Sequence, residues 1–421
     1  MLKEIIIKDL FNTYNYDLNM KDNNLTIITG PNGYGKTTIL KIISGLSHFD
    51  ISFLLSLSFS EIHYEFDNRD PISIIKKKDE LIIYENNIEL KKISKDNLKN
   101  TLREISKIPF IAPYDEGLWL DKRTNRIFNT EELLIFSDDY ENLEKPFKIN
   151  PFGNLHNIPI VYLIKEQRLI GTKRRRREYS YSRYREDFSS NNVENYAEDL
   201  KRTIFEILAE FSKKAQDLDS SYPRRLFDQT KTISKNSFEK RYEKVKETQS
   251  LLKKYGFQTI TLDDKPTFKS ENSRALRVYL NDIEKKQKIF ANLSEKLETF
   301  TRIVEKRNFP NKTLEISQDH GFRFLTPSNK PISLSKLSSG EQQVMVLFYE
   351  LIFKVEKYSL VLIDEPELSL HVAWQKRFLD DLIEIINLNK ISVITATHSP
   401  QIINDKWDLT IDLEELIEKI S

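Results

Sequence analysis

An eight-residue segment of this chain, Gly-Pro-Asn-Gly-Tyr-Gly-Lys-Thr at residues 30–37, restricts its fold to a narrow class. It fits the phosphate-binding loop (P-loop) pattern, in which two glycines separated by four residues precede a lysine and a hydroxyl residue. The β-branched run Leu25–Thr29 before it is typical of a buried strand, and a helix is predicted from Lys36 onward. A strand, a glycine-rich turn and a helix in this order predict an α/β fold with the loop at a strand end.

The same loop carries the groups that a nucleoside triphosphate needs. Glycines at positions 30, 33 and 35 let backbone N–H groups turn toward phosphate oxygens, and the helix N-terminus adds a partial positive charge. Lys36 is predicted to bridge the β- and γ-phosphates, and the Thr37 hydroxyl is predicted to bind Mg²⁺. A chance glycine-rich turn is the alternative when the motif is taken alone. The predicted ligands are ATP and Mg²⁺, and the predicted contacts are Gly30, Asn32, Gly33, Gly35, Lys36, Thr37 and Thr38.

A second motif places two carboxylates at the end of an apolar run, in the sequence Ser-Leu-Val-Leu-Ile-Asp-Glu-Pro-Glu at residues 359–367. Adjacent side chains at the end of a strand point in different directions, so the two carboxylates take different roles. Asp364 is predicted to hold Mg²⁺, and Glu365 is predicted to act as general base toward the attacking water. Without the P-loop, an acidic turn at a strand end would be the simpler interpretation.

A third motif, Leu-Ser-Ser-Gly-Glu-Gln-Gln at residues 337–343, precedes a run with one apolar helical face. Ser338 and Glu341 lie three residues apart and predict a capping box at the start of this helix. A well-capped helix with no further role is the plain interpretation of that spacing.

The three motifs in this order resemble the ABC ATPase superfamily, in particular its SMC, RecF and OLD-like branch. The resemblance implies that Ser338, Ser339 and Gly340 contact the γ-phosphate of ATP bound to another copy, in a homodimer or larger homo-oligomer closed around ATP. It also implies a D-loop at Ser369–His371 and a switch histidine, His398, which contacts the γ-phosphate and orients the water. A satisfied polar histidine after a strand is the alternative for His398.

The resemblance further implies a Q-loop glutamine that contacts the nucleotide and Mg²⁺ and couples closure to an accessory lobe. Gln167, just after the apolar run Ile158–Ile164, is the candidate. An exposed polar loop residue is an equally compatible interpretation of this position.

The remaining patterns predict an α/β ABC ATPase head: a mixed sheet around the P-loop, an antiparallel β subdomain and an inserted helical lobe. Alternating segments between Ile51 and Leu90 predict the subdomain, and helical spacing from Val193 to Arg307 predicts the lobe. Pro223, Gly256 and Pro266 are predicted to break the lobe into separate helices. Further strands are predicted at Leu2–Ile7, Val361–Ile363 and Ser392–Thr395. The predicted division is 1–170 for the N-terminal half of the head, 171–312 for a basic tract and the helical insertion, and 313–421 for the C-terminal half.

The amino-acid composition limits the cellular location and the kinds of binding partner that the chain is expected to have. The chain has no cysteine, which excludes disulfides and thiolate sites and fits a reducing, cytoplasmic location. A net charge of +1 means that DNA binding needs a local patch, and the tyrosine-interleaved basic tract Lys173–Arg185 is the candidate. A solvated loop or a site for an acidic protein is the alternative for this tract. No apolar run approaches the roughly 20 residues needed to cross a bilayer, so no fused membrane domain is expected, and the predicted partners include no membrane.

The C-terminal motifs also look like those of the stand-alone ATPases of the Septu (PtuA-like) and PARIS (AriA-like) antiphage defence systems. The resemblance implies an ATP-hydrolysing sensor or scaffold that responds to a phage protein and controls a separately encoded nuclease of the Toprim or HNH type. Only about 20 residues follow the last motif, so no Toprim domain is expected in this chain. A RecF- or SMC-like ATPase that clamps or repairs DNA is the alternative. The helical insertion and its basic tract do not suit the ATPase subunit of a transporter, which is the third function considered.

Overall fold

In this computed structural model, the described residues are 1–47, 51–94, 96, 110–115, 118–122, 126–129, 159–164, 193–257 and 265–420. The strands in these ranges are β1 (Leu2–Leu10), β2 (Tyr14–Asn19), β3 (Leu25–Thr29), β4 (Glu61–Phe66), β5 (Ile72–Lys77), β6 (Glu80–Glu85), β7 (Ile88–Ser94), β8 (Ile111–Asp115), β9 (Leu118–Asp121), β10 (Arg126–Asn129), β11 (Val161–Ile164), β12 (Thr313–Ser317), β13 (Gly321–Leu325), β14 (Pro331–Ile332), β15 (Leu360–Asp364), β16 (Ser392–Ala396) and β17 (Thr410–Asp412). The α-helices are α1 (Lys36–Ser44), α2 (Ile51–Ser56), α3 (Val193–Phe227), α4 (Lys235–Lys254), α5 (Ser273–Gln287), α6 (Ala291–Lys306), α7 (Ser339–Tyr349), α8 (Val372–Gln375), α9 (Phe378–Asn389), α10 (Pro400–Ile403) and α11 (Leu413–Ile420).

The chain forms two compact units. The P-loop unit comprises Met1–Glu166, Val355–Leu368 and Gln375–Ser421, and the helical unit comprises Gln167–Lys354 and Ser369–Trp374. Helix α7, which carries the Ser-Ser-Gly-Glu motif, therefore belongs to the helical unit. The three-part division made from the sequence stays a prediction of where the two halves of the head begin and end.

A five-stranded parallel sheet in the order β11-β15-β16-β3-β17 forms the centre of the P-loop unit. Strands β3, β15 and β16 lie inside this sheet, and their residues are almost all buried. Parallel strands that are covered on both faces need continuous apolar runs, which is the pattern that these three segments show. The strands predicted at these places are confirmed, with slightly longer bounds for β15 and β16.

The register of this sheet brings three separate segments to one edge. Asp364 pairs with Ala396, and Ala396 pairs with Ile28. Because these strands run in the same direction, the P-loop, Glu365 and His398 all follow strands that end at the carboxyl edge. Open parallel sheets bind ligands at this edge.

A six-stranded antiparallel sheet in the order β2-β1-β4-β5-β6-β7 confirms the predicted β subdomain. The prediction is wrong at its beginning, because Ile51–Ser56 forms helix α2. Ile51, Leu54 and Leu57 are buried, which is a helical spacing of three and not the alternation of a strand. The amine of Lys76 on β5 donates to the Leu54 carbonyl oxygen at 3.3 Å and so satisfies an open acceptor of this helix.

The helical unit contains α3 to α7 and the antiparallel sheet β12-β13-β14. The predicted helical lobe is confirmed, and Gly256 and Pro266 both lie between α4 and α5, where breaks were expected. The longest helix, α3, has 35 residues.

The predicted break at Pro223 is wrong, since α3 continues through this residue to Phe227. Proline removes one backbone hydrogen bond and opposes helix formation. In the last turn, Arg225 donates to the Asp282 carboxylate of α5 at 2.8 Å and to the Ser221 hydroxyl at 3.1 Å. The tertiary contact with Asp282 and the bond to Ser221 within the helix both stabilise the turn that the proline weakens.

Gly321, at the start of β13, is expected to be essential for packing in the helical unit. Its φ is 66°, and a Cβ atom on it would lie 1.8 Å from the carbonyl oxygen of Ala197 in α3. We expect Gly321→Ala to lower the free energy of unfolding by about 3 kcal/mol or more, because the strand must move away from the helix backbone. Denaturant unfolding measures this loss.

Gly256→Ala is the matched control for this prediction. Gly256 also has a positive φ, 76°, but a Cβ there would lie 3.8 Å from Ser317, an ordinary contact distance. Only the strain of the left-handed conformation is expected, about 1 to 2 kcal/mol. Equal losses in the two variants would contradict the role of the Ala197 contact.

Candidate nucleotide-binding site

The P-loop connects β3 to α1, and α1 begins at Lys36 as predicted. Gly30, Gly33 and Gly35 have φ values of 133°, 89° and 85°. A Cβ atom on Gly35 would lie 3.2 Å from the ring of Phe11, so the loop passes close to the β1–β2 turn. The helix N-terminus therefore stands at the carboxyl edge of the sheet, where its N–H groups can bind an anion.

Two tyrosines of β2 support this loop from the antiparallel sheet. The buried hydroxyl of Tyr16 donates to the Tyr34 carbonyl oxygen at 2.7 Å, and the Tyr14 ring stacks on the Tyr34 ring at 5.5 Å. The sequence gives no sign of these contacts, because they depend on how β2 lies beside the loop.

Lys36 lies across the P-loop. Its side chain is 6% exposed, and its Nζ donates to the carbonyl oxygens of Gly30 at 3.0 Å and Pro31 at 3.1 Å. Burial lowers the pKa of Lys36, while Glu365 and Asp364 act in the opposite direction. The amine is thus held beside the carboxylates by weak acceptors that phosphate oxygens can replace.

The two predicted catalytic carboxylates follow one another at the end of β15. Asp364 is the last residue of the strand, and Glu365 has a left-handed φ of 43°. The Glu365 N–H donates to the Ala396 carbonyl oxygen at 2.9 Å, which ties this strained residue to the end of β16. A non-glycine residue in this conformation is uncommon, and such strain concentrates at functional sites.

His398 follows β16 and is exposed at the same edge. Desolvation lowers the pKa of His398, the charge of Lys36 lowers it further, and Glu367 opposes the shift. The lowered pKa favours the neutral imidazole, which can both donate and accept a hydrogen bond. The P-loop, Asp364, Glu365 and His398 are thus brought to one edge, and their contacts with a nucleotide stay predictions.

Sequence reasoning missed Glu367 and Gln375. The Glu367 Oε1 accepts from the His398 N–H at 2.9 Å, and the Gln375 side chain donates to the Glu367 carbonyl oxygen at 3.3 Å. The only available signal was the second Glu of Asp-Glu-Pro-Glu, which has no predictable partner without the fold.

The Leu-Ser-Ser-Gly-Glu-Gln-Gln motif at residues 337–343 leads into α7 in the helical unit, and its predicted capping box is confirmed. The Ser338 hydroxyl accepts from the Glu341 N–H at 3.3 Å, and the Glu341 carboxylate accepts from the Ser338 N–H at 2.8 Å. Burial alone would raise the pKa of Glu341, but hydrogen bonds from Lys312 and Ser338 outweigh it and lower the pKa. Ser338 and Ser339 are exposed, so the N-terminus of α7 is accessible from outside.

Two predicted features lie outside the described residues: the Q-loop candidate Gln167 and the basic tract Lys173–Arg185. Of the other P-loop candidates, Asn32 and Thr37 are exposed and Thr38 is half-buried at the start of α1.

The groups at this edge fit ATP with Mg²⁺. The Thr37 hydroxyl and the Asp364 carboxylate are hard oxygen ligands of the kind that Mg²⁺ prefers. Mg²⁺ commonly takes one or two such protein ligands and completes its shell with phosphate oxygens and water. Lys36 and the N-terminus of α1 suit the phosphates themselves.

The sequence profile of the AAA ATPase domain family matches residues 1–403. The chain belongs to this family of ATPases. The match includes the P-loop, the strand-end carboxylates and His398. The predicted fold class of this ATPase is also confirmed, with its parallel core sheet, antiparallel subdomain and helical lobe.

A stretch of 100 residues in this ATPase is 33% identical to Protein ea59 of Escherichia phage lambda. The match covers 24% of this chain and 18% of the length of that protein. Among solved structures, the SMC head domain from Thermotoga maritima is 13% identical with a TM-score of 0.39, over 98% of this chain and 94% of that chain. An Smc head domain with an extended coiled coil, bound to the C-terminal domain of ScpA and derived from Pyrococcus furiosus, is 14% identical with a TM-score of 0.35, over 96% and 90% of the two chains.

Among the described residues of this ATPase, none of the helices combines the length and the apolar character needed to span a membrane.

Proposed function

We propose that this ATPase binds ATP with Mg²⁺ and hydrolyses ATP to ADP and phosphate. The observation that carries the proposal is the arrangement of the parallel sheet, which brings the P-loop, two carboxylates and a histidine to one carboxyl edge. Chance assembly of these groups is a poor explanation, because they come from strands that are far apart in sequence.

Each residue has a defined task in this proposal. Lys36 exchanges its carbonyl partners for β- and γ-phosphate oxygens, and Thr37 and Asp364 hold Mg²⁺, which offsets phosphate charge. Glu365 accepts a proton from the water whose oxygen attacks the γ-phosphorus, while the bond to the β–γ bridging oxygen breaks and releases ADP. His398 contacts the γ-phosphate and orients that water. Gln167 is the proposed Q-loop contact.

Hydrolysis is proposed to occur between two copies of the chain. Ser338, Ser339 and Gly340 of one copy would bind the γ-phosphate of ATP held by the other, through the exposed N-terminus of α7. ATP would thus join two heads in a homodimer or larger homo-oligomer, and hydrolysis would let them separate.

The biological role that we propose is sensing or scaffolding in a cytoplasmic antiphage defence system. It rests on the similarity of the C-terminal motifs to Septu and PARIS ATPases. ATP-driven dimerisation would hold or release a separately encoded nuclease of the Toprim or HNH type in response to a phage protein. The tract Lys173–Arg185 is a further proposed contact with DNA.

Purifying the chain alone, and together with the product of the neighbouring gene, tests this role. We expect the two proteins to form a stable complex, and a phage component to release or activate the nuclease and change the rate of ATP hydrolysis. Light scattering, nuclease assays and phosphate release measure these three effects.

The same experiment separates the defence role from its alternative. A chain that binds duplex DNA in an ATP-dependent way, with no effect of the neighbouring protein, would contradict the defence role and support a RecF- or SMC-like clamp. The Glu356→Gln variant, an exposed change outside the site, should behave as wild type in both assays and so controls for activity lost during purification.

A further inference from the structure

We infer that Glu367 and Gln375 are positioning residues for His398: together they hold the turn with the histidine against the end of the strand that leads to Glu365. The inference rests on the proposed hydrolysis of ATP and adds two residues to it. Neither residue is assigned to a nucleotide, to Mg²⁺ or to the attacking water.

Glu367 holds the backbone of the histidine itself. Its Oε1 accepts from the His398 N–H at 2.9 Å. Glu367 lies two residues after Glu365, whose own N–H donates to Ala396 at the end of β16. The segment after β15 and the segment after β16 are thus joined at two successive points, one at Glu365 and one at Glu367. A hydrogen bond to a carboxylate is among the stronger ones in proteins.

Gln375 holds the next residue of the same turn. Its side chain is 7% exposed, its Oε1 accepts from the Ser399 hydroxyl at 3.0 Å, and its Nε2 donates to the Glu367 carbonyl oxygen at 3.3 Å. Ser399 is further fixed by its N–H, which donates to the buried Thr397 hydroxyl at 3.0 Å. The buried Gln375 amide therefore connects the segment after β15, at Glu367, with the segment after β16, at Ser399.

The path of the chain explains why this amide is needed. Residues 369–374 belong to the helical unit, so the chain leaves the P-loop unit after Leu368 and re-enters it at Gln375. The hydrogen bond from Gln375 to Glu367 joins the residue at which the chain returns to the P-loop unit to the segment from which it left. This bond adds a third connection between the segment after β15 and the His398 turn, beside those made by Glu365 and by the Glu367 carboxylate.

A histidine that orients water must be placed accurately, because a displacement of about 1 Å can cost about 100-fold in rate. The backbone N–H of His398 and the hydroxyl of Ser399 are the two groups that the positioning pair holds. Loss of either bond is expected to widen the range of positions of the imidazole and to leave the P-loop unchanged. The catalytic constant should fall while nucleotide affinity persists.

Gln375→Met removes both hydrogen bonds at nearly constant length. We expect kcat for ATP hydrolysis to fall about tenfold, with KM and the dissociation constant of a fluorescent ATP analogue within about twofold of the wild type. Ser399→Ala, which also loses the N-cap bond from the Ile402 N–H, should give at least a similar loss, and the double variant should lose no more than Ser399→Ala alone. Gln216→Met, an exposed change on α3, is the matched control.

Glu367 is tested by a pair of variants. Glu367→Gln keeps an oxygen that can accept from the His398 N–H, whereas Glu367→Ala does not. We expect the alanine variant to be slower by about tenfold than the glutamine variant. These variants, with Ser399→Ala, carry the test if Gln375→Met does not fold.

The His398→Ala background distinguishes positioning from a purely structural role. If Gln375 acts through His398, Gln375→Met should lower the residual rate of the His398→Ala enzyme by less than about twofold. A further tenfold loss on that background, or an unchanged kcat of Gln375→Met in the wild-type background, would overturn the inference. A wild-type chain that does not hydrolyse Mg²⁺-ATP would instead refute the proposed function itself.

Discussion

Replacing Glu365 by glutamine is expected to lower the rate of ATP hydrolysis by about 100-fold or more and to leave ATP bound. The amide has the size of the carboxylate but cannot accept the proton of the attacking water. The position of residue 365 is set by its backbone hydrogen bond to Ala396, so the substitution should leave the edge of the sheet in place. The ATP-bound, closed form should therefore accumulate.

Two measurements check this result. Steady-state phosphate release gives the rate, and light scattering with Mg²⁺-ATP should show a dimer or larger assembly that persists in Glu365→Gln and disappears with ADP. Glu356→Gln makes the same chemical change at an exposed position before β15 and should behave as wild type. Hydrolysis at the normal rate in Glu365→Gln would show that another group is the base.

Lys36→Ala is expected to weaken ATP binding by about 100-fold, which corresponds to about 2.7 kcal/mol. The reason is the loss of charge-assisted hydrogen bonds to two phosphate groups at a buried position. Titration calorimetry or a fluorescent ATP analogue measures the affinity. Lys41→Ala, on the exposed side of the same helix, is the matched control and should bind ATP normally.

The nucleotide-free Lys36→Ala variant should remain folded. Because burial lowers the pKa of Lys36, the folded chain holds the protonated amine less favourably than the unfolded chain does at any pH below the lysine range. Removing the amine relieves this cost and loses two hydrogen bonds to loop carbonyls. The melting temperature is therefore expected to fall by no more than about 2 °C. A larger fall with normal ATP affinity would assign Lys36 to folding and not to binding.

The features that could be predicted from the sequence are those set by neighbouring residues. The strand β3, the P-loop and the start of α1 follow from a β-branched run, glycines and a helix-starting pattern within 20 residues of each other. The capping box of Ser338 and Glu341 is likewise a contact between residues three positions apart. Conformational preferences of neighbouring residues and side-chain contacts between near neighbours indicate these elements, so their residue types are sufficient evidence, although the strand partners of β3 lie far away in the sequence.

Two elements departed from the prediction: α2, whose buried residues follow a helical spacing of three, and α3, in which a distant residue outweighs the preference of Pro223. Helix α2 forms where a strand was expected, and an acceptor in it is satisfied by Lys76 of β5. Helix α3 passes through Pro223 because Arg225 of its last turn binds Asp282 of α5. In both cases a side chain from another element supplies the stabilising contact, and nothing in the local pattern announces it.

The candidate site divides in the same way. Lys36, Asp364, Glu365 and His398 are recognisable as residue types in motifs, and the motifs predict that they belong together. Their placement at one edge, and the choice of Glu367 and Gln375 as partners of the His398 turn, follow from the register of parallel strands that lie far apart along the chain. Residue types and their spacing therefore indicate which chemical groups the site contains. The partners of these side chains on other strands depend on the folded sheet, because a hydrogen bond forms between groups that are close in space.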